Sequence, residues 1–318
     1  IEEYGVAQIS MNLTNISVTP VHIAFEEVCR RAEARGVRVT GSELVGLIPL
    51  KSLLEAGRYF LRKQKRSTGV PDKELIKIAV KSMGLSELSE FRPEERIIEY
   101  VMEERNKKRL VDLSLRDFME LTSSESPAPG GGSVSAYMGA LGAALGTMVA
   151  NLSAHKKGWD DRWEEFSEWA EKGKELQNRL LALVDADTDA YNAVIAAKRL
   201  PKSTPEEIEM RTKAIESATI YAMKVPLEVM ETAWKGFEIV EAMIEKGNPN
   251  SASDAAVGAL ALNAAVNGAY LNVMINSGGV TGTEVEEILR RAGSLAEQSG
   301  SGTENVLKSF RKKILKTD

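Results

Sequence analysis

Cysteine is almost absent. Cys29 stands alone in 318 residues, which excludes an intrachain disulfide framework and any cysteine-based zinc cluster. Histidine is nearly as scarce, and His22 and His155 lie far apart. A metal site would have to be built mostly from carboxylates, and no metal is expected. Nor is there an excess of positive charge: 27% of residues are charged and the formal net charge is −5. That balance excludes a strongly basic nucleic-acid binder and leaves anionic small molecules to local patches. No Leu/Ile/Phe-rich run of spanning length occurs. The nearly uncharged residues 134–152 have the length, but their Ala, Gly, Ser and Thr contribute little to insertion, so no membrane span is expected. No secretory or transit pattern is visible, which with so little cysteine points to the cytoplasm. The first residue is Ile1, not Met, immediately before a strand-like pattern, so a fragment or a processed chain is expected.

What the chain does have is concentrated in Pro127-Ala-Pro-Gly-Gly-Gly-Ser-Val-Ser-Ala136 and the Ala-rich run to Asn151. The prolines and glycines predict a tight loop to Gly132 and a helix from Ser133 onward, with small residues at helical spacing. A glycine-rich turn feeding a helix presents free N–H groups and the positive end of the dipole, which suits an anion or a developing negative charge. A purely structural turn has the same pattern. A Walker-type phosphate loop is not expected, because no Lys-Ser or Lys-Thr pair follows the glycines.

The fold class read from the pattern is α+β. Residues 6–13 and 37–40 alternate like strands, separated by a helix after Thr19-Pro20 and followed by a short helix from Pro49, an incomplete β-α-β-α run. Two strands do not make a self-sufficient sheet. Residues 1–66 are therefore read as a small α/β subdomain, 67–111 as a helical linker ending in the charged connector 103–112, and 112–318 as an all-α bundle. Within the bundle, Ser114 and Asp117 resemble a capping box, and Thr204-Pro-Glu-Glu207 marks a helix start. Pro226 predicts a kink or a split, and Gly300-Ser-Gly302 a break in the last helix.

Chemistry-bearing residues are few. Asp185-Ala-Asp187-Thr-Asp189 places three acids in an otherwise apolar helical stretch, where aspartate is a poor helix former and costly to bury. Asp185 and Asp189 share a face, while Asp187 points about 200° away from Asp185. All three could lie at a solvated edge; one held in a partly apolar cleft would have a raised pKa and could shuttle a proton. Asp254 sits in the first turn of a second small-residue helix, and Asn263, Asn267, Asn272 and Asn276 are unusual on so apolar a segment. Buried amides must be hydrogen-bonded, so they tie helices together or face a polar ligand. Lys198 and Arg199 at a helix C-terminus satisfy the dipole or bind an anion.

These segments resemble the formimidoyltransferase-cyclodeaminase family. The loop 127–136, Val184-Asp-Ala-Asp187 with Ala190-Tyr191, Arg199-Leu-Pro-Lys202, Gly247-Asn248 with Ser253-Asp254, and Asn272-Val-Met-Ile-Asn276 look like its cyclodeaminase domain. Ala7-Gln-Ile-Ser-Met-Asn-Leu13, Gly41-Ser-Glu-Leu-Val-Gly-Leu-Ile-Pro-Leu-Lys51 and Arg96-Ile-Ile-Glu-Tyr100 resemble the C-terminal subdomain of its formimidoyltransferase part. Nothing in the chain matches the family's N-terminal transferase subdomain with its catalytic histidine, and neither His22 nor His155 has that context. Transferase activity is thus expected only if that portion is supplied.

The resemblance implies cyclisation of 5-formimidoyltetrahydrofolate to 5,10-methenyltetrahydrofolate with release of ammonia, tetrahydrofolate being the substrate carrier. It places the catalytic role on Asp187. Gly130, Gly131, Gly132, Ser133, Asp185, Lys198, Arg199, Asp254, Asn272 and Asn276 are the expected substrate-binding residues, Lys198 or Arg199 meeting folate carboxylates. The partners implied are the folate, polyglutamylated or not, and a second copy of the chain through the helical domain, or a larger ring. Methenyltetrahydrofolate cyclohydrolase and a non-catalytic folate-binding or assembly subunit are the competing readings.

Overall fold

The computed structural model describes residues 5–102 and 109–315, and the chain divides into two compact units, Ile1–Arg105 and Asn106–Asp318. Residues 103–108 of the charged connector lie outside the described residues.

The first unit carries α1 (Val21–Glu33), α2 (Leu50–Lys63), α3 (Asp72–Met83) and the short α4 (Pro93–Arg96) and α5 (Ile98–Met102). Its core forms where Leu53, Ala56 and Phe60, one face of α2, meet Ile76, Ala79 and Met83 of α3. The expected strands do not form. Residues 6–13 and 37–40 have no ladder, and the one pairing among the described residues is a parallel bridge between Ile48 and Ile97. There the Ile48 N–H donates to the Arg96 carbonyl at 2.9 Å, and the Ile98 N–H to the Ile48 carbonyl at 3.0 Å. The physical reason is pairing. An alternating segment becomes a strand only against a neighbour, and here Ile9, Met11 and Val37 are exposed with none beside them.

The second unit is helical throughout: α6 (Leu115–Thr122), α7 (Gly131–Ala154), α8 (Trp163–Lys198), α9 (Pro205–Lys246), α10 (Ala252–Asn276) and α11 (Thr283–Leu315). Helices α7 to α10 run alternately up and down. A Cβ at Gly139 would touch Leu180, one at Gly173 would touch Thr147, and one at Gly268 would touch Ser135, so α7 is antiparallel to both α8 and α10. The core between them holds Phe166, Leu180, Leu183, Met230, Phe237 and Leu262. Helices α7 and the segment Pro249–Asn276 are long and apolar enough to cross a membrane, yet here they pack side by side. Local signals set the ends. The Thr204 hydroxyl accepts from the Glu207 N–H at 3.2 Å while the Glu207 carboxylate accepts from the Thr204 N–H at 3.2 Å, a complete capping box.

The break expected at Gly300–Gly302 and the split allowed for at Pro226 are both absent. Helix α11 passes straight through Gly300 and Gly302, because Gly302 lies against the Trp234 and Phe237 rings and serves close packing. Helix α9 also continues through Pro226 for 42 residues. Proline has no N–H, so the carbonyl four residues back, that of Ala222, loses its helical donor. The Asn276 Nδ2 replaces it, donating to the Ala222 carbonyl at 2.7 Å. Asn276→Ala is therefore expected to cost about 1–3 kcal/mol in denaturant unfolding. The cost should shrink in a Pro226→Ala background, where Ala222 regains its own donor. Equal costs in both backgrounds would contradict this pairing.

Candidate active site

The chain enters α7 through Ala128–Pro129, a cis peptide, and Gly130, the extended N-cap residue. The helix begins earlier than the pattern predicts, taking in Gly131 and Gly132. Three of its first donors must find partners outside the helix. One does so across the bundle: the Ser133 N–H donates to Asp187 Oδ2 of α8 at 2.9 Å, and the Ser133 hydroxyl donates to the same oxygen at 3.0 Å. The antiparallel register of α7 and α8 makes this meeting possible, bringing residues 54 apart in sequence to one level.

The carboxyl lies directly against the backbone of Gly132, where an added Cβ would overlap it. Asp187 is half-buried, and desolvation raises its pKa above the ordinary aspartate value; the two Ser133 hydrogen bonds favour the charged form and oppose that rise without cancelling it. On the other side of the glycine turn, Asn272 of α10 lies in ordinary contact distance of a Cβ at Gly131, 3.5 Å from its Nδ2, which donates to the Gly268 carbonyl at 2.9 Å. The structure thus brings together Gly131, Gly132, Ser133, Asp187 and Asn272. The N–H groups of Gly131 and Gly132 have no acceptor among the described residues.

The remaining sequence-derived candidates are placed elsewhere or otherwise engaged. Asp185 Oδ1 accepts from the Leu110 N–H at 2.7 Å, tethering the turn before α6 to α8. Asn276 braces Pro226, as above. Lys198 and Arg199 are exposed at the end of α8, about 16 Å along the helix from Asp187. Asp254 starts α10, about 27 Å along that helix from Asn272, so within one chain it does not reach the glycine turn. Gly130 borders open space, and its side-chain position faces no neighbour. Cavities of about 1110 Å³ beside α3 and about 420 Å³ beside α9 are lined by none of these residues. Among the described residues no cluster of three or more potential metal ligands occurs. The partner missed by sequence reasoning is Thr188, whose Oγ1 is 3.5 Å from the Ser133 hydroxyl; its position beside Asp187 was the only signal.

Substitutions separate the glycines. Gly132→Ala is expected to displace the carboxyl and lower turnover about 100-fold, while Gly130→Ala leaves it unchanged. Steady-state rates of the two folded variants check this, and equal rates contradict it.

A family profile described as formiminotransferase-cyclodeaminase matches residues 114–293, the stretch that holds this site, and a formiminotransferase-domain profile matches residues 1–103. The chain belongs to the formiminotransferase-cyclodeaminase family. It is 38% identical to the formimidoyltransferase-cyclodeaminase of Gallus gallus over 98% of its own length and 58% of that protein's, so it spans little more than half of that relative. It is 33% identical to a methenyltetrahydrofolate cyclohydrolase of Methylorubrum extorquens, over 63% of this chain and 97% of that one. The crystal structure of formiminotetrahydrofolate cyclodeaminase from Thermotoga maritima superposes with a TM-score of 0.54 and 27% identity, over 64% of this chain and 97% of that one. The helical unit therefore has a cyclodeaminase-like fold.

Proposed function

We propose that this chain is a cyclodeaminase, closing 5-formimidoyltetrahydrofolate to 5,10-methenyltetrahydrofolate with release of ammonia. The observation that carries the reading is the half-buried Asp187 carboxyl docked on the glycine-rich start of α7. The chemistry needs a base and then an acid. A neighbouring folate nitrogen attacks the formimidoyl carbon, and Asp187 takes the proton that this nitrogen sheds. The resulting tetrahedral aminal receives that proton back on its amino group, the carbon–nitrogen bond breaks, ammonia leaves, and Asp187 is again a carboxylate. One carboxyl serves both steps best when its pKa is lifted toward neutrality, the direction in which burial moves Asp187. The free N–H groups of Gly131 and Gly132, with Asn272, would line the substrate, and Lys198 or Arg199 would meet the folate's carboxylates, polyglutamylated or not.

The match to a cyclohydrolase favours a second reading, hydrolysis of the methenyl ring. Purified chain given each substrate separates them. Ammonia from formimidoyl-folate supports the first, loss of methenyl-folate absorbance without ammonia supports the second, and tight folate binding with no turnover supports a non-catalytic subunit.

The same reading places the enzyme in the cytoplasm and makes formimidoyl transfer conditional on a further part of the fold. That activity would require a preceding subdomain bearing the transferase histidine, whose strands would also pair with residues 6–13 and 37–40. It also makes the chain a homodimer through α7 and α10. On α10, Val257, Leu260, Leu271 and Met274 are exposed, spaced by three, eleven and three residues and so on one helical face, and Leu141 and Met148 of α7 are exposed as well. A second copy of the same apolar surface is the occupant that covers it. Leu260→Glu is expected to halve the mass measured by light scattering, and an unchanged mass would remove this interface.

A further inference from the structure

We propose that Ser133 is a positioning residue that decides which oxygen of Asp187 handles the proton, holding Oδ2 and leaving Oδ1 for the substrate. This rests on the reading of Asp187 as the proton shuttle. It departs from the expectation that Ser133 binds substrate, because both of its donors are already engaged.

A carboxylate oxygen offers about two lone-pair directions. Oδ2 receives the Ser133 N–H at 2.9 Å and the Ser133 O–H at 3.0 Å, so both are filled. A proton arriving on Oδ2 would have to expel one of those donors. Oδ1 has no protein donor among the described residues and lies over the face of Gly132 that lacks a side chain. It is the oxygen whose lone pairs no protein donor among the described residues occupies. The backbone half of the clamp comes from the first turn of α7, and the hydroxyl half from a side chain that is completely buried and whose own oxygen has the Thr188 hydroxyl at 3.5 Å. Two bonds to one oxygen also fix the rotation of the carboxyl, which a single bond would not.

The clamp has a consequence for titration, since hydrogen bonds to the ionised form resist the effect of burial. Among the described residues, the other elements around Asp187 bring no competing charge close by. Helix α7 presents Gly131, Gly132 and Ser133, and α10 presents the neutral Asn272. On α8 itself Asp185 is bonded to the Leu110 N–H, beside the Arg109–Asp112 ion pair, and Asp189 is exposed. On α9 the register set by the Arg179–Glu228 pair puts Ile220 level with Asp187, with Glu216 a turn to one side and Lys224, paired with Glu284, a turn to the other.

The test is the pH dependence of kcat/KM for formimidoyl-folate in wild type, Ser133→Ala and Ser133→Thr. Removing the hydroxyl is expected to move the basic-group limb to higher pH by about one unit. It should lower kcat about 10-fold with KM unchanged, and Ser133→Thr, which keeps the hydroxyl, should restore the wild-type limb. A rise in KM with the limb unmoved would show that Ser133 touches substrate, and would overturn the assignment. An inactive wild-type chain would instead remove the reading of function and this role with it, so the two failures are distinguishable.

Discussion

Asp187→Asn is expected to lower the rate of ammonia release by about 10³–10⁴-fold, because one group supplies both the base and the acid of the reaction. That loss corresponds to about 4–5.5 kcal/mol of transition-state stabilisation. The amide keeps an oxygen to accept from Ser133, so the helices should stay in register and substrate should still bind. The same substitution has an opposite effect on stability. Burial raises the Asp187 pKa above the ordinary value of about 3.9. Between those two values the folded state holds a proton that the unfolded state has released, so stability falls as pH rises through that window and then stays level. Asp187→Asn escapes the penalty. It should melt higher than wild type at neutral pH, with the difference closing below about pH 4. A variant that is inactive and less stable at every pH would point to lost structure instead of lost chemistry.

A large stability effect is expected at Gly142, in the middle of α7. A Cβ there would stand 2.8 Å from the Gly258 carbonyl oxygen, 2.8 Å from Leu262 Cγ and 3.0 Å from the Leu262 N–H nitrogen. Two of those neighbours are backbone of α10, so no rotamer change relieves the overlap, and the helices must separate. Gly142→Val should therefore cost about 3 kcal/mol or more, a fall in melting temperature of roughly 6–12 °C for a unit of this size. Turnover per folded molecule should suffer as well, since α7 and α10 together hold the glycine turn against Asn272. Calorimetry of the purified chain reads the shift, and an unchanged melting temperature would show that the α7–α10 contact is looser than drawn.

What could be read in the amino-acid sequence follows how local each signal is. The capping box at Thr204 and Glu207 is visible to the residue, because its partners are three positions apart. The all-helical character of the second unit follows from periodicity and from the absence of breakers. Residues 6–13 and 37–40 failed for the converse reason: alternation describes one face of a strand but says nothing about whether a partner is present. Gly302 and Pro226 were read as interruptions because inside a helix each residue has two meanings. Only the tertiary neighbours, the Trp234 ring in one case and Asn276 in the other, decide between them.

The candidate site shows the same division. Three acids at 185, 187 and 189 were evident, but which of them meets the glycine turn depends on the register of two helices, and composition carries no trace of that. Family resemblance pointed to Asp187, and the hydrogen bonds from Ser133 supply a physical reason why that carboxyl differs from its neighbours. Asp254 and Asn276 lie in segments that resemble the family as well, yet the geometry places one at the far end of α10 and gives the other a bracing role.

The most direct measurement is the titration of the Asp187 carboxyl itself, followed by isotope-edited infrared spectroscopy of aspartate-labelled protein. A carboxyl band that ionises above about 3.9, present in wild type and missing from Asp187→Asn, is the expected result. A difference band that ionises at or below that value would mean a solvated or fully charge-stabilised aspartate, and would contradict its role as the proton shuttle.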